Sequence, residues 1–286
     1  MAEDLYTKEI ICEAAPFFKT KGGSVIFNVI EKLTKLDKLN EGYRECSLYE
    51  GPDFARAFMD KFGIDYTVGG MDLNNLPQGP FITISNHPYG GADGLALVDL
   101  IGHIRPDMKV MVNKILGLAK RMKGNLITVT PTGDEKKAAT KDSINGVKQC
   151  IEQINNGGVL SLFPSGAVSD LKPKEGWIIR DRDWQMGAIK LIKKLNVPVV
   201  PIRFFDRNSN FYYLLGLIDW KVRLFKLPSE LMNKRGKQMR IGIGQTIEPQ
   251  QLSAFDSVES LRSFLRESVY GMTLPNNFKT RDELHL

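Results

Sequence analysis

Cysteine and histidine are scarce in this chain: 286 residues hold three of each. Cys12, Cys46 and Cys150 are too few and too scattered for a disulfide framework or a zinc site, which fits a reducing compartment. No cluster of His, Cys, Asp and Glu has metal-ligand spacing, so no metal is expected. No window of 18 apolar residues occurs, so no membrane-spanning helix is expected. The N-terminus, Met1-Ala-Glu-Asp4, is acidic and lacks an apolar run, so no signal peptide is expected. Internal repeats and low-complexity linkers are absent. The basic residues form no run with interleaved aromatics, which argues against nucleic acid as a partner. The expected location is the cytoplasm. Contact with a membrane would lie along its surface.

The net charge is +6 and the isoelectric point is about 9.1. An excess of this size suits an acidic partner, such as anionic lipid, an acidic carrier protein or a phosphate-bearing cofactor. It equally suits a mildly basic protein with no such partner.

Residues 1–70 read as mostly helical and form the first of two expected regions. Ile26, Val29, Ile30 and Leu33 share one helical face, with Gly22-Gly23-Ser24 as a break before them. Lys19, Lys21, Lys32, Lys35 and Lys38 surround that stripe, which suits either a helix lying on anionic lipid or one packed on a core. Residues 71–286 form the second region, where strands and helices alternate. Strands are expected at 81–85, 108–112, 125–130, 158–163, 197–204 and 239–244. Helices are expected at 93–103, 114–123, 141–155, 184–195 and 256–271, the last opened by Asp256-Ser-Val-Glu259 with capping-box spacing. Such alternation implies an α/β fold, with a largely parallel sheet flanked by helices. Active sites of these sheets gather beyond the carboxyl ends of the strands.

Two segments sit at such ends. Phe81-Ile-Thr-Ile-Ser-Asn-His-Pro-Tyr-Gly-Gly-Ala-Asp93 is a strand, then a loop, then a carboxylate opening a helix. His285 is next to last, and His103 lies near a helix end where capping is its natural role, which leaves His87 as candidate base. Pro88 stiffens the loop, and Gly90 and Gly91 permit close approach or unusual backbone angles. Asp93 can orient the imidazole, cap the helix, or do both. The second segment, Ser161-Leu-Phe-Pro-Ser-Gly-Ala-Val-Ser169, also leaves a strand.

These residues resemble the motifs of the glycerolipid, or lysophospholipid, acyltransferase superfamily. Asn86-His87-Pro88 with Asp93 is similar to its His-x4-Asp motif. Phe163-Pro164-Ser165-Gly166 is similar to its Phe-Pro-Glu-Gly block, and Val197-Pro198-Val199-Val200-Pro201-Ile202 to its fourth block. All three occur in family order across about residues 80–205. The chain is most similar to a bacterial branch with Asn-His-Pro-x-Gly-Gly-x-Asp, which includes hemolysin-like proteins and O-acyltransferases of amino-acid-containing lipids. Phe211-Tyr-Tyr-Leu-Leu-Gly216 and Leu227-Pro-Ser-Glu-Leu-Met-Asn-Lys-Arg-Gly236 add to that likeness.

The resemblance implies an O-acyltransferase that moves an acyl chain from a thioester to the hydroxyl of a lyso-lipid. The donor would be an acyl carrier protein or coenzyme A, and no bound cofactor is needed. His87 would be the base and Asp93 its partner. Asn86, Gly90, Gly91, Phe163, Pro164, Ser165 and Gly166 would line the substrates, with backbone N–H groups near Gly166 steadying the oxyanion. The implied location is the inner face of the cytoplasmic membrane, reached through the Lys-flanked helix and through 211–218 with the basic-aromatic segment 220–226. The bland alternative for segment 211–218 is a buried strand, which its length allows.

Two departures from the family motifs stand out, and the second bears on the acceptor. Five residues separate His87 from Asp93 rather than four, and Ser165 replaces the family's acceptor-shaping glutamate. The second family block has no good match, although Thr128-Val-Thr-Pro-Thr132 stands near its place. A lyso-aminolipid therefore fits better than lysophosphatidic acid. Two alternatives stay open: a lipid hydrolase with Ser165 as nucleophile, although a Gly-x-Ser-x-Gly elbow is lacking, and a lipid-surface binding protein with an inactive site.

Overall fold

The computed structural model describes residues 4–6, 34–114, 117, 119–130, 140–218 and 220–285. The Ile26–Leu33 stripe, most of its flanking lysines and Thr132 lie outside the described residues.

Helices α1 (Leu36–Glu45) and α2 (Gly51–Lys61) precede strand β1 (Asp65–Gly70). There follow β2 (Phe81–Ser85), α3 (Gly91–Ile104), β3 (Lys109–Asn113), β4 (Leu126–Val129), α4 (Lys141–Asn155) and β5 (Val159–Leu162). A small hairpin, β6 (Asp170–Lys172) and β7 (Ile178–Arg180), interrupts the pattern. Then come α5 (Met186–Leu195), β8 (Val199–Phe204), α6 (Asn210–Ile218), α7 (Trp220–Met232), β9 (Gln238–Ile243), α8 (Pro249–Ser253), α9 (Val258–Tyr270) and β10 (Phe278–Thr280).

The main sheet has eight strands in the order β10-β1-β9-β8-β2-β5-β3-β4. Five of its pairings are parallel, while β1 with β10 and β8 with β9 are antiparallel. This is the expected α/β architecture. Strand β2 is buried throughout, with Phe81, Ile82 and Ile84 in the core and the hydroxyls of Thr83 and Ser85 buried beside them. It lies parallel between β5 and β8, with Ile84 opposite Leu162 and Ser85 opposite Ile202. The loops leaving β2, β5 and β8 therefore emerge together at one sheet edge. The His87 segment and the Phe163–Gly166 segment are two of them.

Residue 70 ends a strand paired in the main sheet. Leu36, Leu39, Phe54, Phe58 and Met59 of α1 and α2 share one apolar core with Leu97 and Leu100 of α3, so the described part of the first region packs as one body with the second. Of the helix expected over 114–123, residues 115, 116 and 118 lie outside the described residues, and Lys120–Asn125 form a 3-10 turn that leads straight into β4. Segment 211–218 is a helix, not a buried strand. Tyr212 and Tyr213 fill its inner face, while Phe211, Leu214, Leu217 and Ile218 stay exposed. The last helix starts one residue later than its spacing suggests, because Ser257 rather than Asp256 caps it by accepting from the Ser260 N–H.

Candidate active site

Gly90 makes the turn into α3. Its φ of 82° is a region that side chains rarely adopt, and a Cβ there would meet Leu227 and Val168 at 3.1 and 3.2 Å. The turn brings Asp93, the third residue of α3, back over the loop. Its Oδ2 accepts from the N–H groups of Tyr89 and Gly90, each at 2.9 Å. The same oxygen lies 2.8 Å from His87 Nδ1. Asp93 thus caps the helix and meets the His87 imidazole at once, through one oxygen rather than two. The ring N–H is not aimed in line at that oxygen, and Asp93 Oδ1 is buried without a partner among the described residues.

Asp93 is fully buried, and burial pushes its carboxyl above the usual range. The His87 ring and the two backbone N–H groups oppose that push.

Phe163, leaving β5, lays its ring against the imidazole at a centroid distance of 4.2 Å. Behind it, Gly166 N–H donates to Phe163 O and closes a tight turn. Gly166 has φ 64°, and Gln185 fills the space beside its α-carbon. The Gln185 backbone N–H donates to Pro164 O at 2.8 Å. Gly166's own amide is consumed by this turn. The amides of Ser165 and Ala167 on either side make no backbone hydrogen bond with any described residue. Ser165 is buried, and its hydroxyl donates to Ala167 O at 2.8 Å within the same turn.

Asn86 is buried and is spent on the neighbouring strand. Its amide donates to Phe204 O at 2.9 Å, and its carbonyl accepts from Phe204 N–H at 2.8 Å. It ties the His87 loop to the end of β8. Gly91 opens α3 from an exposed position with free space at its α-carbon. His103 holds the last turn of α3, with Nδ1 2.7 Å from Asp99 O and Nε2 3.2 Å from Asp53.

Several residues around the site carry no motif. Asp181 is buried, and its Oδ1 accepts from the His87 backbone N–H at 3.2 Å and from the Ser169 hydroxyl at 2.5 Å. Its Oδ2 accepts from the Trp184 indole at 3.2 Å. Arg223 of α7, also buried, donates to the carbonyls of Val168 and Ser169 and pairs with Asp170 at 2.7 Å. Tyr213 of α6 donates to Pro88 O at 2.6 Å. Helices α6 and α7 thus clamp both loops from one side. Lys234, held 4.6 Å over the Tyr89 ring, is pushed down to about 8 by burial. Of these, only the scarcity of buried charge could have flagged Asp181, Arg223 and Lys234, and burial is not written in the local sequence.

The arrangement sets an imidazole against a buried carboxylate, with an aromatic wall beside it and two amides that have no backbone partner among the described residues. An acyltransferase family model matches residues 10–278. A lyso-glycine lipid O-acyltransferase of Bacteroides thetaiotaomicron is 26% identical over 253 residues, covering 86% of this chain and 89% of that protein. A protein of the same name from Phocaeicola vulgatus is 26% identical over 267 residues, covering 88% of this chain and 91% of its own. Among solved structures, the 1-acyl-sn-glycerophosphate acyltransferase PlsC of Thermotoga maritima matches with a TM-score of 0.48 and 16% identity, over 91% of this chain and 90% of that one. The extent of the family match decides the matter: this chain belongs to the acyltransferase family.

Proposed function

We propose that the protein is an O-acyltransferase that esterifies the hydroxyl of a lyso-aminolipid with an acyl chain from a thioester. The approach of His87 to Asp93 at the open end of β2 is the observation that carries the chemistry. With Nδ1 facing Asp93, His87 Nε2 takes the proton from the acceptor hydroxyl as that oxygen attacks the thioester carbonyl. The buried carboxylate stabilises the imidazolium that forms. The amides of Ser165 and Ala167 meet the negative charge that develops on the carbonyl oxygen. Collapse of the intermediate expels a thiolate, which takes the proton back from His87.

The printed names of the two relatives support a lyso-lipid acceptor that carries glycine. The donor is acyl-coenzyme A or an acyl carrier protein. A membrane supplies the acceptor. Among the described residues no helix is long and apolar enough to cross one. The exposed row Phe211, Leu214 and Ile218 stands on the helix pair that clamps the catalytic loops, and this face rests on the inner leaflet. The hydrolase alternative is not favoured, because the Ser165 hydroxyl is turned into its own loop.

The test is direct. Purified protein is given a labelled acyl thioester and a panel of lyso-lipids, and products are identified by mass. Transfer to lyso-aminolipids supports the proposal. Release of free fatty acid alone would replace it with a hydrolase.

A further inference from the structure

A second polar site lies beside the catalytic loop. A cavity of about 280 Å³ opens between the base of the β6–β7 hairpin and α9, lined by Arg180, Arg262 and Arg266. Its one large apolar side chain is Trp184. Two acids, Asp183 and Glu267, also border it, but they are 79% and 71% exposed and reach Arg266 and Arg180 only at 3.9 Å. Those contacts are too long for hydrogen bonds and are screened by water. The Nε atoms of Arg180 and Arg266 are buried and have no hydrogen-bond partner. The Arg262 side chain makes no hydrogen bond or ion pair with any described residue. Leaving buried guanidinium N–H groups unmade is costly, and an oxyanion with several acceptor oxygens would satisfy them.

The cavity is one residue from the base. Asp181 accepts from the His87 backbone N–H through Oδ1 and from the Trp184 indole through Oδ2, while its backbone carbonyl accepts from Arg266 at 3.1 Å. Arg180 and Arg266 both stack on Tyr270, whose hydroxyl accepts from the Asp181 N–H at 2.9 Å. A separate cavity is bordered by Leu217 and Ile218 of α6 and by the charged side chains of Asp170, Lys172, Arg182 and Arg223. Its Leu217 and Ile218 offer an acyl chain apolar surface, whereas in the arginine cavity only Trp184 does.

We infer that Arg180, Arg262 and Arg266 bind a phosphate ester of the acyl-thioester donor. This rests on the proposed thioester donor and adds where its polar end is held. Coenzyme A and the phosphopantetheine arm of a carrier protein share that chemistry. The flexible pantetheine chain would lead from the arginines past Asp181 and bring the thioester to His87. Several guanidinium groups around one cavity match the several oxygens of a phosphate ester better than a single carboxylate does.

Calorimetric titration of coenzyme A, 4′-phosphopantetheine and pantetheine into wild type, Arg262→Gln and Arg180→Gln tests the site. Both phosphate-bearing ligands bind wild type, pantetheine binds about tenfold or more weakly, and each variant loses about tenfold for coenzyme A with an unchanged circular dichroism spectrum. Tighter binding of coenzyme A than of phosphopantetheine assigns the site to the nucleotide donor, and equal binding assigns it to the phosphate that a carrier protein shares. Wild-type affinity in both variants, or equal affinity for pantetheine and phosphopantetheine, overturns the site. Kinetics keep the two claims apart. If wild type transfers from acyl-coenzyme A and the variants keep its KM, the arginine site fails alone. If wild type transfers from no thioester, the donor reading fails and takes the assignment with it.

Discussion

Asp181 holds the backbone N–H of His87 at 3.2 Å, from a position ninety-four residues further along the chain. The catalytic loop is thus fixed at two points, by Asp93 on the ring and by Asp181 on the main chain. Removing the second carboxylate strands three donors, on His87, Ser169 and Trp184, in a buried setting. Each unmade bond costs about 1–3 kcal/mol. Asp181→Ala is expected to lower the melting temperature and to depress kcat well beyond any change in KM, since it displaces the base without touching substrate. Equal kcat in mutant and wild type at a temperature where both are folded would remove Asp181 from the site's support.

Asp93→Asn separates stability from activity. Burial raises the Asp93 carboxyl above its unfolded value. Between those two values the folded state binds the extra proton, so stability falls as pH rises through that window and the cost persists at neutral pH. An asparagine carries no charge there, and its carbonyl can still accept from Tyr89 and Gly90. The variant is expected to be as stable as wild type or more so at pH 7, with a stability curve flatter above pH 4. Its transfer rate is expected to fall by about 10²-fold or more. Denaturant melts at several pH values and initial rates check both halves. A destabilised variant that keeps its activity would contradict them.

Ser165→Ala should retain most of the activity. The hydroxyl donates to Ala167 O, a local bond worth about 1 kcal/mol, and the turn is also held by Gly166 N–H and Gln185 N–H. Intact-protein mass spectrometry after incubation with acyl thioester should find no acyl adduct on wild type. An adduct at Ser165, lost together with activity in the variant, would make the protein a serine enzyme.

The parts of the fold that repeat were legible in the sequence. Helix 141–155 was readable to the residue, since Ile144, Val147, Ile151 and Ile154 keep a helical period and Thr140 caps its start. Strand β2 and the two loops beyond β2 and β5 were readable because apolar runs end in Pro and Gly. What escaped was set by partners distant in sequence. Strands β1 and β10 depend on pairing across more than two hundred residues, as Thr67 opposite Thr280 shows. Segment 211–218 is apolar enough to pass for a strand, and its helical state is fixed by Tyr212 and Tyr213 packing over the loops. In the site, His87 and Asp93 were legible because only five residues separate them, whereas Asp181 and Arg223 act through long-range bonds that no local pattern announces.

The outer face of α6 is expected to hold the protein on anionic membranes. Ile218 is 79% and Phe211 57% exposed, on a helix whose other face is buried. Phe211→Ser with Ile218→Ser should reduce flotation with anionic vesicles while leaving the fold intact, because neither side chain fills the core. Wild-type binding should weaken as salt rises. Equal flotation of the double variant would move the contact elsewhere on the molecule.

The central claim is that His87 is the base of an acyl transfer, and His87→Ala measures it most directly. The ring is partly exposed and, among the described aromatic side chains, packs on Phe163 alone, so its loss should leave circular dichroism and thermal unfolding close to wild type. Transfer from a labelled acyl thioester to a lyso-aminolipid, followed by product mass, is expected to fall by about 10²–10⁴-fold. Near wild-type turnover in the folded variant would contradict the account.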